Sequence, residues 1–327
     1  MIYQHTTTRR TLLASALMSS LGLSAMAQGQ FPSKTMTFVV PYPAGGANDM
    51  LGRLIGQKMA EALNATAMVD NKPGAAALLG ASAVARAPAD GHTLLIGGLA
   101  THAASPNMLK ADYDPLKDFE PVGMIGSAPI IAITFNDSPF KTLKDVVDAA
   151  RKDPKGVMYG SSGNGSPLHL AGELFTSQNK IEMTHVPYKG GNAHILDLMG
   201  GRVPVIFDTA TNCMPLLKSG KVRALAVGAS ARLADFPNVP TFAEAGFPQF
   251  DFSAWYAVFA PAKTPKDVVA KLSTALSVAL KTSDVIAKLN GVGVTPANGD
   301  AATLAKFLPG EYDRIGRLIR TANIKPD

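Results

Sequence analysis

The 327-residue chain predicts an α/β protein of mostly parallel sheets covered by helices on both faces. Three observations lead there. After residue 27, short runs rich in Val, Ile and Phe alternate with stretches of helical period, the pattern of parallel strands joined by crossover helices. Hydrophobic residues make up 46% and charged residues 17%, enough apolar material for a core and too little charge for disorder. Glycine-rich turns recur where a strand run gives way to a helical stretch, the place where open α/β sheets bind ligands.

Residues 1–27 read as an export signal. Arg9 and Arg10 supply its charge, Leu12–Ala25 its apolar stretch, and Ala25-Met26-Ala27 a small-x-small cleavage site. The apolar stretch is short for a membrane span. Thr8-Arg9-Arg10-Thr11-Leu12-Leu13 fits both a twin-arginine signal and a general secretory signal, and either route predicts the periplasm. A single cysteine, Cys213, leaves no internal disulfide and no Cys-cluster metal site. The exported chain therefore holds together by core packing. The excess of 31 Lys+Arg over 25 Asp+Glu is dispersed, and aromatics are 7%, which argues against a nucleic-acid surface.

Thr35–Pro41 predicts the first strand. Asn48–Leu63 follows as a helix, with Leu51, Leu54, Ile55, Met59 and Leu63 on its apolar face, Asn48 as N-cap and Asp49 in the first turn. Ala67–Asp70 predicts a strand, followed by the turn Asn71-Lys72-Pro73-Gly74 and an Ala/Leu-rich helix to Arg86. Strands are expected at Thr93–Gly97, Ile130–Phe135, Val157–Gly160, Met183–Val186, Val203–Asp208, Ala224–Val227 and Ala254–Ala260. Helices are expected at Leu143–Lys152, Gly165–Gln178 with Pro167 in the first turn, His194–Met199, Met214–Ser219, Pro265–Lys281 and Ala301–Asn323. Gly123–Ile133 and Gln249–Phe259 are apolar without helical period and read as strands passing between two lobes. If the two pair, lobe two is about 129–253, inserted into a lobe one of 29–128 plus 254–327.

Helices that start at glycine turns point unpaired N–H groups and a partial positive charge at a ligand. Three turns qualify: Tyr42, Ala44, Gly45 and Gly46 in lobe one; Ser161, Gly163, Asn164, Gly165 and Ser166 in lobe two; and Tyr188, Lys189 and Gly190, also in lobe two. Facing each other, they make a clamp for a small anion with carboxylates at both ends. Each turn also has a plain reading as strand-to-helix punctuation, but the serines, asparagine and glycines of 161–166 supply more donors than a turn needs. Asp49 either meets the ligand or pairs with Arg53 one turn on. Asp208 either accepts from a ligand donor or caps a loop. Thr101 follows a buried strand, with His102 beside it. His169 is either a ligand contact or a packed, capping histidine. Tyr42 and Tyr188 either wall the cleft or cover turns, and Lys189 faces ligand or solvent. Trp255 and Tyr256 are expected to pack at the lobe junction.

Catalytic signatures are missing from the sequence. No G-x-S-x-G elbow, P-loop, G-x-G-x-x-G after a strand or H-E-x-x-H occurs, and the six histidines lack metal-ligand spacing. The reading carries no catalytic residue, no metal and no cofactor.

Seven segments spread over the mature chain carry a family resemblance. They are Val39-Val40-Pro41-Tyr42-Pro43-Ala44-Gly45-Gly46 with Asp49 and Arg53; Asn71-Lys72-Pro73-Gly74; Asp90-Gly91-His92-Thr93-Leu94-Leu95; Thr101-His102-Ala103; Tyr159-Gly160-Ser161-Ser162-Gly163-Asn164-Gly165-Ser166; Val186-Pro187-Tyr188-Lys189-Gly190; and Val239-Pro240-Thr241-Phe242-Ala243-Glu244-Ala245-Gly246. Together they resemble the Bug-type extracytoplasmic solute receptors of tripartite tricarboxylate transporters. The resemblance implies a type II periplasmic-binding-protein fold: two Rossmann-like lobes, two crossover strands and a cleft that closes on its ligand. It implies carboxylate capture by backbone N–H groups, small hydroxyls and waters between 44–46 and 161–166. It also implies a monomeric, non-enzymatic receptor that hands its ligand to membrane transporter subunits. The alternatives are a periplasmic sensor, or a hydrolase or lyase of small acids using His169 or His102 as base. Ala75 and Ala76, where the family often has glycines, and Ala89, where it often has proline, depart from the pattern.

Overall fold

The computed structural model describes residues 31–188 and 192–324. The export signal, Lys189 and Gly190 lie outside the described residues. The chain runs β1 (Met36–Val40), α1 (Ala47–Ala62), β2 (Ala67–Asn71), α2 (Leu78–Ala85), β3 (Thr93–Gly98), the short α3 (Ser105–Met108) and the long β4 (Phe119–Phe135). It continues with α4 (Leu143–Lys152), β5 (Met158–Ser161), α5 (Pro167–Asn179), β6 (Thr184–Pro187), α6 (Ala193–Met199), β7 (Val205–Thr209), α7 (Ala210–Lys218) and β8 (Val222–Val227). β9 (Ser253–Pro261), α8 (Lys266–Lys281), α9 (Ser283–Gly291), β10 (Thr295–Pro296) and α10 (Ala301–Thr321) close it.

The sheet order is β2-β1-β3-β9-β4-β7-β5-β6, with β8 and β10 also on β4. β1 pairs in parallel with β2 and β3, and β5 with β6 and β7. The middle is antiparallel: β9 runs against β3 and β4, and β7, β8 and β10 run against β4. The expectation of mostly parallel sheets is thus corrected to a mixed one. The reason is that β4 pairs with β9 from Phe119 to Pro129 and then with β7 from Ile130, so one strand serves two sheets.

That polarity decides where the strand ends point. β1 and β3 run in the direction of β4, beside its first half. β5 and β7 run against it, beside its second half. The carboxyl ends of the two parallel sets therefore face each other across the middle of β4.

Alternate residues along the strands divide the core. Phe38 and Val40 of β1 pack with Leu51, Ile55 and Met59 of α1 and Leu272 and Leu276 of α8. Val39 faces the opposite side, where one continuous cluster takes in Ile130, Ala132, Tyr159, Phe175, Phe207, Phe242, Phe250 and Trp255. Ile131 and Ile133 face a third cluster with Ile206, Ala210, Cys213 and Met214. Residues 249–252, expected in strand, precede β9; Phe250 instead stacks on Phe242 with centroids 3.9 Å apart. α7 begins four residues before the expected Met214, and α9 carries no expectation from the sequence. Ala75, Ala76 and Ala77 all adopt left-handed backbone, φ 47°, 51° and 76°, so the turn that elsewhere favours glycine is made by strained alanines.

Gly98 ends β3 opposite Tyr256 of β9. A Cβ there would lie 2.1 Å from the Trp255 carbonyl oxygen, a backbone atom that cannot swing away. Gly98→Ala is expected to destabilise the protein by about 1–3 kcal/mol, the usual range for overpacking, read as a lower midpoint in urea unfolding. An unchanged midpoint would show that β3 and β9 tolerate separation.

Candidate functional site

The first turn leaves β1 and opens α1. Ala44, Gly45 and Gly46 are exposed, and Gly45 takes φ +85°, a conformation glycine adopts at no steric cost. Gly46, not the expected Asn48, is the N-cap, in extended conformation and without a side-chain cap. Asp49 does the holding from beneath. Only 5% exposed, it accepts from Gly45 N at 2.9 Å, Arg53 Nε at 3.0 Å and Asn71 Nδ2 at 3.0 Å. Asn71 also donates to the Tyr42 carbonyl at 3.1 Å. Burial pushes the Asp49 carboxyl up, but the hydrogen bonds from Arg53, Gly45 and Asn71 outweigh it and hold the carboxyl below its ordinary value. Between the two readings left open by the sequence, the geometry gives Asp49 the pairing with Arg53. Its oxygens fasten the turn.

The serine-glycine turn leaves β5 and opens α5. Ser161 is fully buried. Its Oγ lies 2.6 Å from His185 Nε2 and accepts from Gly163 N at 3.1 Å, so this hydroxyl shapes the turn. Ser166 is the N-cap, its Oγ accepting from His169 N at 3.3 Å, with Pro167 at the first helical position. Ser162, Gly163, Asn164 and Ser166 are half-buried. Gly165 takes φ +72°, and a Cβ on it would lie 2.7 Å from Met108 Sδ of α3. His169 Nδ1 accepts from Gly165 N at 3.1 Å, and its ring stacks on His185 with centroids 3.8 Å apart. Burial and His185 push its pKa down to about 3. His169 is thus a neutral pillar under the turn.

Tyr188 follows β6. Its N–H bonds the Ser161 carbonyl at 3.0 Å, and its hydroxyl donates to Asp197 at 2.6 Å. Burial and this bond push its phenol up to about 12. After β3, Thr101 is 1% exposed, its Oγ1 bonded to Gly98 N at 3.0 Å and 2.8 Å from His102 Nδ1. His102 is fully buried against Phe259, centroids 3.6 Å apart, and burial lowers its pKa to about 3. Neither His102 nor His169 is placed as an accessible base. Asp208, next to last in β7, has both oxygens engaged: Oδ2 lies 2.9 Å from His194 Nε2, and Oδ1 accepts from Thr209 N at 2.6 Å and Asn212 Nδ2 at 3.0 Å.

The two halves meet at Met108 against Gly165, and at Tyr256, whose phenol lies against Thr209 and Thr211 near Asp208. Tyr42 adjoins Tyr256, and burial with that neighbour raises its phenol well above the ordinary value. The hydrogen bonds of the described residues do not tie 44–46 directly to 161–166. Asn71, Met108, His185, Thr209, Thr211 and Tyr256 complete the arrangement without having been singled out as contacts. Asn71 opens the turn Asn71-Lys72-Pro73-Gly74, and Thr209–Thr211 follow the same strand-then-helix order as the other turns. Among the described residues, no His/Cys/Asp/Glu group could hold a metal ion, and no helix is long and apolar enough to cross a membrane.

Helix starts gathered at facing strand ends of two α/β halves define a solute receptor of the type II periplasmic-binding-protein fold. Residues 51–324 match the model of the tripartite tricarboxylate transporter family receptors, TctC, and the chain belongs to that family. A UPF0065 protein in the tcbD-tcbE intergenic region of Pseudomonas sp. strain P51 is 35% identical, covering 95% of this chain and 94% of its own. The solved structure of R. palustris Rpa4515 with adipate has TM-score 0.85 and 35% identity, covering 91% of this chain and 100% of that one. MatC (Rpa3494) from Rhodopseudomonas palustris with bound malate has TM-score 0.81 and 35% identity, covering 88% and 100%.

Because the Asp49 carboxyl is held low in the fold, its stabilisation is present above the unfolded carboxylate range near pH 4. It is lost as pH falls through the lower folded value. Asp49→Ala is expected to cost about 1.5–3 kcal/mol at pH 7, the range for hydrogen bonds to a charged group. The difference from wild type should shrink at pH 3. Urea unfolding at both pH values measures it, and a gap that stays constant would remove the charged carboxylate as the cause.

Proposed function

We propose that the protein is an exported, monomeric receptor that captures a small carboxylate or dicarboxylate in the periplasm and delivers it to membrane subunits of a tripartite tricarboxylate-type transporter. It binds without converting its ligand. In this reading the lobes are 29–128 plus 254–327 and 129–253. Ala44–Gly46 and Ser161–Ser166 offer N–H groups and hydroxyls to a carboxylate, while Asp49, Ser161 and His169 keep those turns in shape. Tyr42, Thr101, Tyr188, Lys189, Gly190 and Asp208 belong to the walls or to their support.

The observation that carries the reading is the pair of uncapped or serine-capped helix starts at strand ends that face each other. Such starts bind anions through free N–H groups and the helix dipole. Adipate in Rpa4515 and malate in MatC support a carboxylate as the class of ligand. Each helix-terminus contact contributes roughly 0.3–2 kcal/mol, and several together, less ordering and desolvation, give binding on the order of micromolar.

A thermal-shift screen of carboxylates on refolded protein, followed by calorimetry, tests the class. Stoichiometric binding with the ligand recovered unchanged is expected; turnover, or no binding across the panel, would overturn the reading. Ser166→Ala is expected to weaken the bound carboxylate at least tenfold while costing about 1 kcal/mol of stability as a lost N-cap. Wild-type affinity in that variant would remove the serine-glycine turn as anchor. Small-angle scattering should show compaction on saturation, and an unchanged radius would argue against closure.

A further inference from the structure

The serine-glycine turn rests on a cluster of polar side chains that reaches one helical turn deeper than His169. His169 and Glu173 lie four residues apart in α5, on one face of the helix. His169 Nε2 is 3.8 Å from Glu173 Oε1. The same Oε1 accepts the hydroxyl of Tyr159, from β5. Tyr159 is fully buried. Its ring lies against α5 at Gly172, where a Cβ would come within 2.2 Å of Tyr159 Cε2, so a residue without a side chain lets the phenol reach the carboxyl. His185 of β6 stacks on Tyr159 with centroids 5.0 Å apart and on His169 with centroids 3.8 Å apart.

The hydrogen bonds of His169 fix where its proton must be. Its backbone N–H donates to Ser166 Oγ at 3.3 Å, and its Nδ1 accepts from Gly165 N at 3.1 Å. Burial, with His185 alongside, keeps the ring neutral. A neutral imidazole has one donor nitrogen and one acceptor, so the proton is on Nε2, the nitrogen that faces Glu173. The other tautomer would set Nδ1–H against Gly165 N–H, donor against donor, and release the turn at a glycine whose φ is +72°. Glu173 Oε1 is an acceptor on the side where the Nε2 proton lies. At 3.8 Å the contact is longer than a hydrogen bond, so it acts as an electrostatic attraction between the ring N–H and the carboxyl oxygen, strengthened by partial burial. The Tyr159 hydroxyl holds that oxygen in place.

We propose that Glu173, with Tyr159 behind it, is a positioning residue for the carboxylate site: it fixes the Nε2–H tautomer of His169, and His169 in turn keeps the Gly165 amide drawn inward and the turn in its binding shape. Glu173 acts through His169, with its Oε1 facing Tyr159 and His169 beneath the turn. Its effect on affinity rests on the reading of the protein as a carboxylate receptor. Its effect on the tautomer rests on the geometry of this cluster alone.

Nitrogen NMR of the histidine-labelled mature chain distinguishes protonated from bare ring nitrogens, and the His169 signals are those lost in His169→Gln. Wild type is expected to show a protonated Nε2 and a bare Nδ1 with no ligand added. Glu173→Leu, which removes the acceptor, is expected to turn His169 into a mixture of tautomers. By calorimetry it should weaken adipate or malate, whichever wild type binds, at least tenfold. Glu173→Gln keeps an acceptor oxygen and is expected to restore the tautomer and to bring affinity back within threefold of wild type. Tyr159→Phe removes only a hydroxyl, should act in the direction of Glu173→Leu, and decides the matter if Glu173→Leu does not fold by circular dichroism. An unchanged tautomer in these variants, a changed tautomer with wild-type affinity, or a loss as large in Glu173→Gln as in Glu173→Leu would overturn the positioning role and leave the receptor standing. A wild type that binds no carboxylate in the full screen would overturn the receptor and with it the effect on affinity, while the tautomer in Glu173→Leu still tests the hold on His169.

Discussion

Strand β4 belongs to both halves of the sheet, and its continuity fixes the direction of everything beside it. With seventeen residues, it gives its first part to β9 and its last to β7 and β8. Backbone hydrogen bonding leaves no freedom in this arrangement: a strand antiparallel to β4 in one half and a set parallel to it in the other must end facing each other. A helix that follows each of those strands then starts in the same region. The gathering of helix starts is thus a consequence of strand polarity before any side chain is chosen.

Side chains enter mainly as supports. Asp49, Asn71 and Arg53 fasten the turn before α1, and His169 with His185 underpins the turn before α5. Asp49 and His169 are buried beneath their turns, while Ala44–Gly46 are exposed and Ser162–Asn164 half-buried above them. This division suits a site that must present N–H groups rigidly, because an unsupported turn would lose conformational entropy on binding. It also explains how acidic residues are accommodated close to these helix starts. Asp49 and Asp208 are surrounded by donors of the chain itself, so the charge they would present to a guest is already compensated.

Much of this was legible in the sequence where the cause is local. The period of Leu51, Ile55 and Met59, the i to i+4 spacing of Asp49 and Arg53, and the Ser166-Pro167 helix start are short-range facts, and each has its counterpart in the structure. The antiparallel direction of the middle was not legible, because hydrophobic runs carry no direction even where their pairing can be anticipated. The cap of α1 moved from Asn48 to Gly46 because Asp49 satisfies Gly45 from within the helix, which leaves Asn48 no role at the cap. Tyr256 was expected at the lobe junction, but its approach to Thr209 and Thr211 was not legible, because that proximity is created by the sheet.

The helix starts differ in how they are finished, and that difference bears on how the halves cooperate. Gly46 and Thr209 cap their helices without a side-chain bond, whereas Ser166 caps its own. A start with a serine cap is ordered before any ligand arrives. An uncapped start keeps donors that gain most from an anion. In the proposed receptor, a ligand held first at the ordered turn before α5 would then find a remaining partner at the α1 start, which lies in the opposite half. Closure is favoured by the ligand only to the extent that those second contacts exist in the closed state and not in the open one.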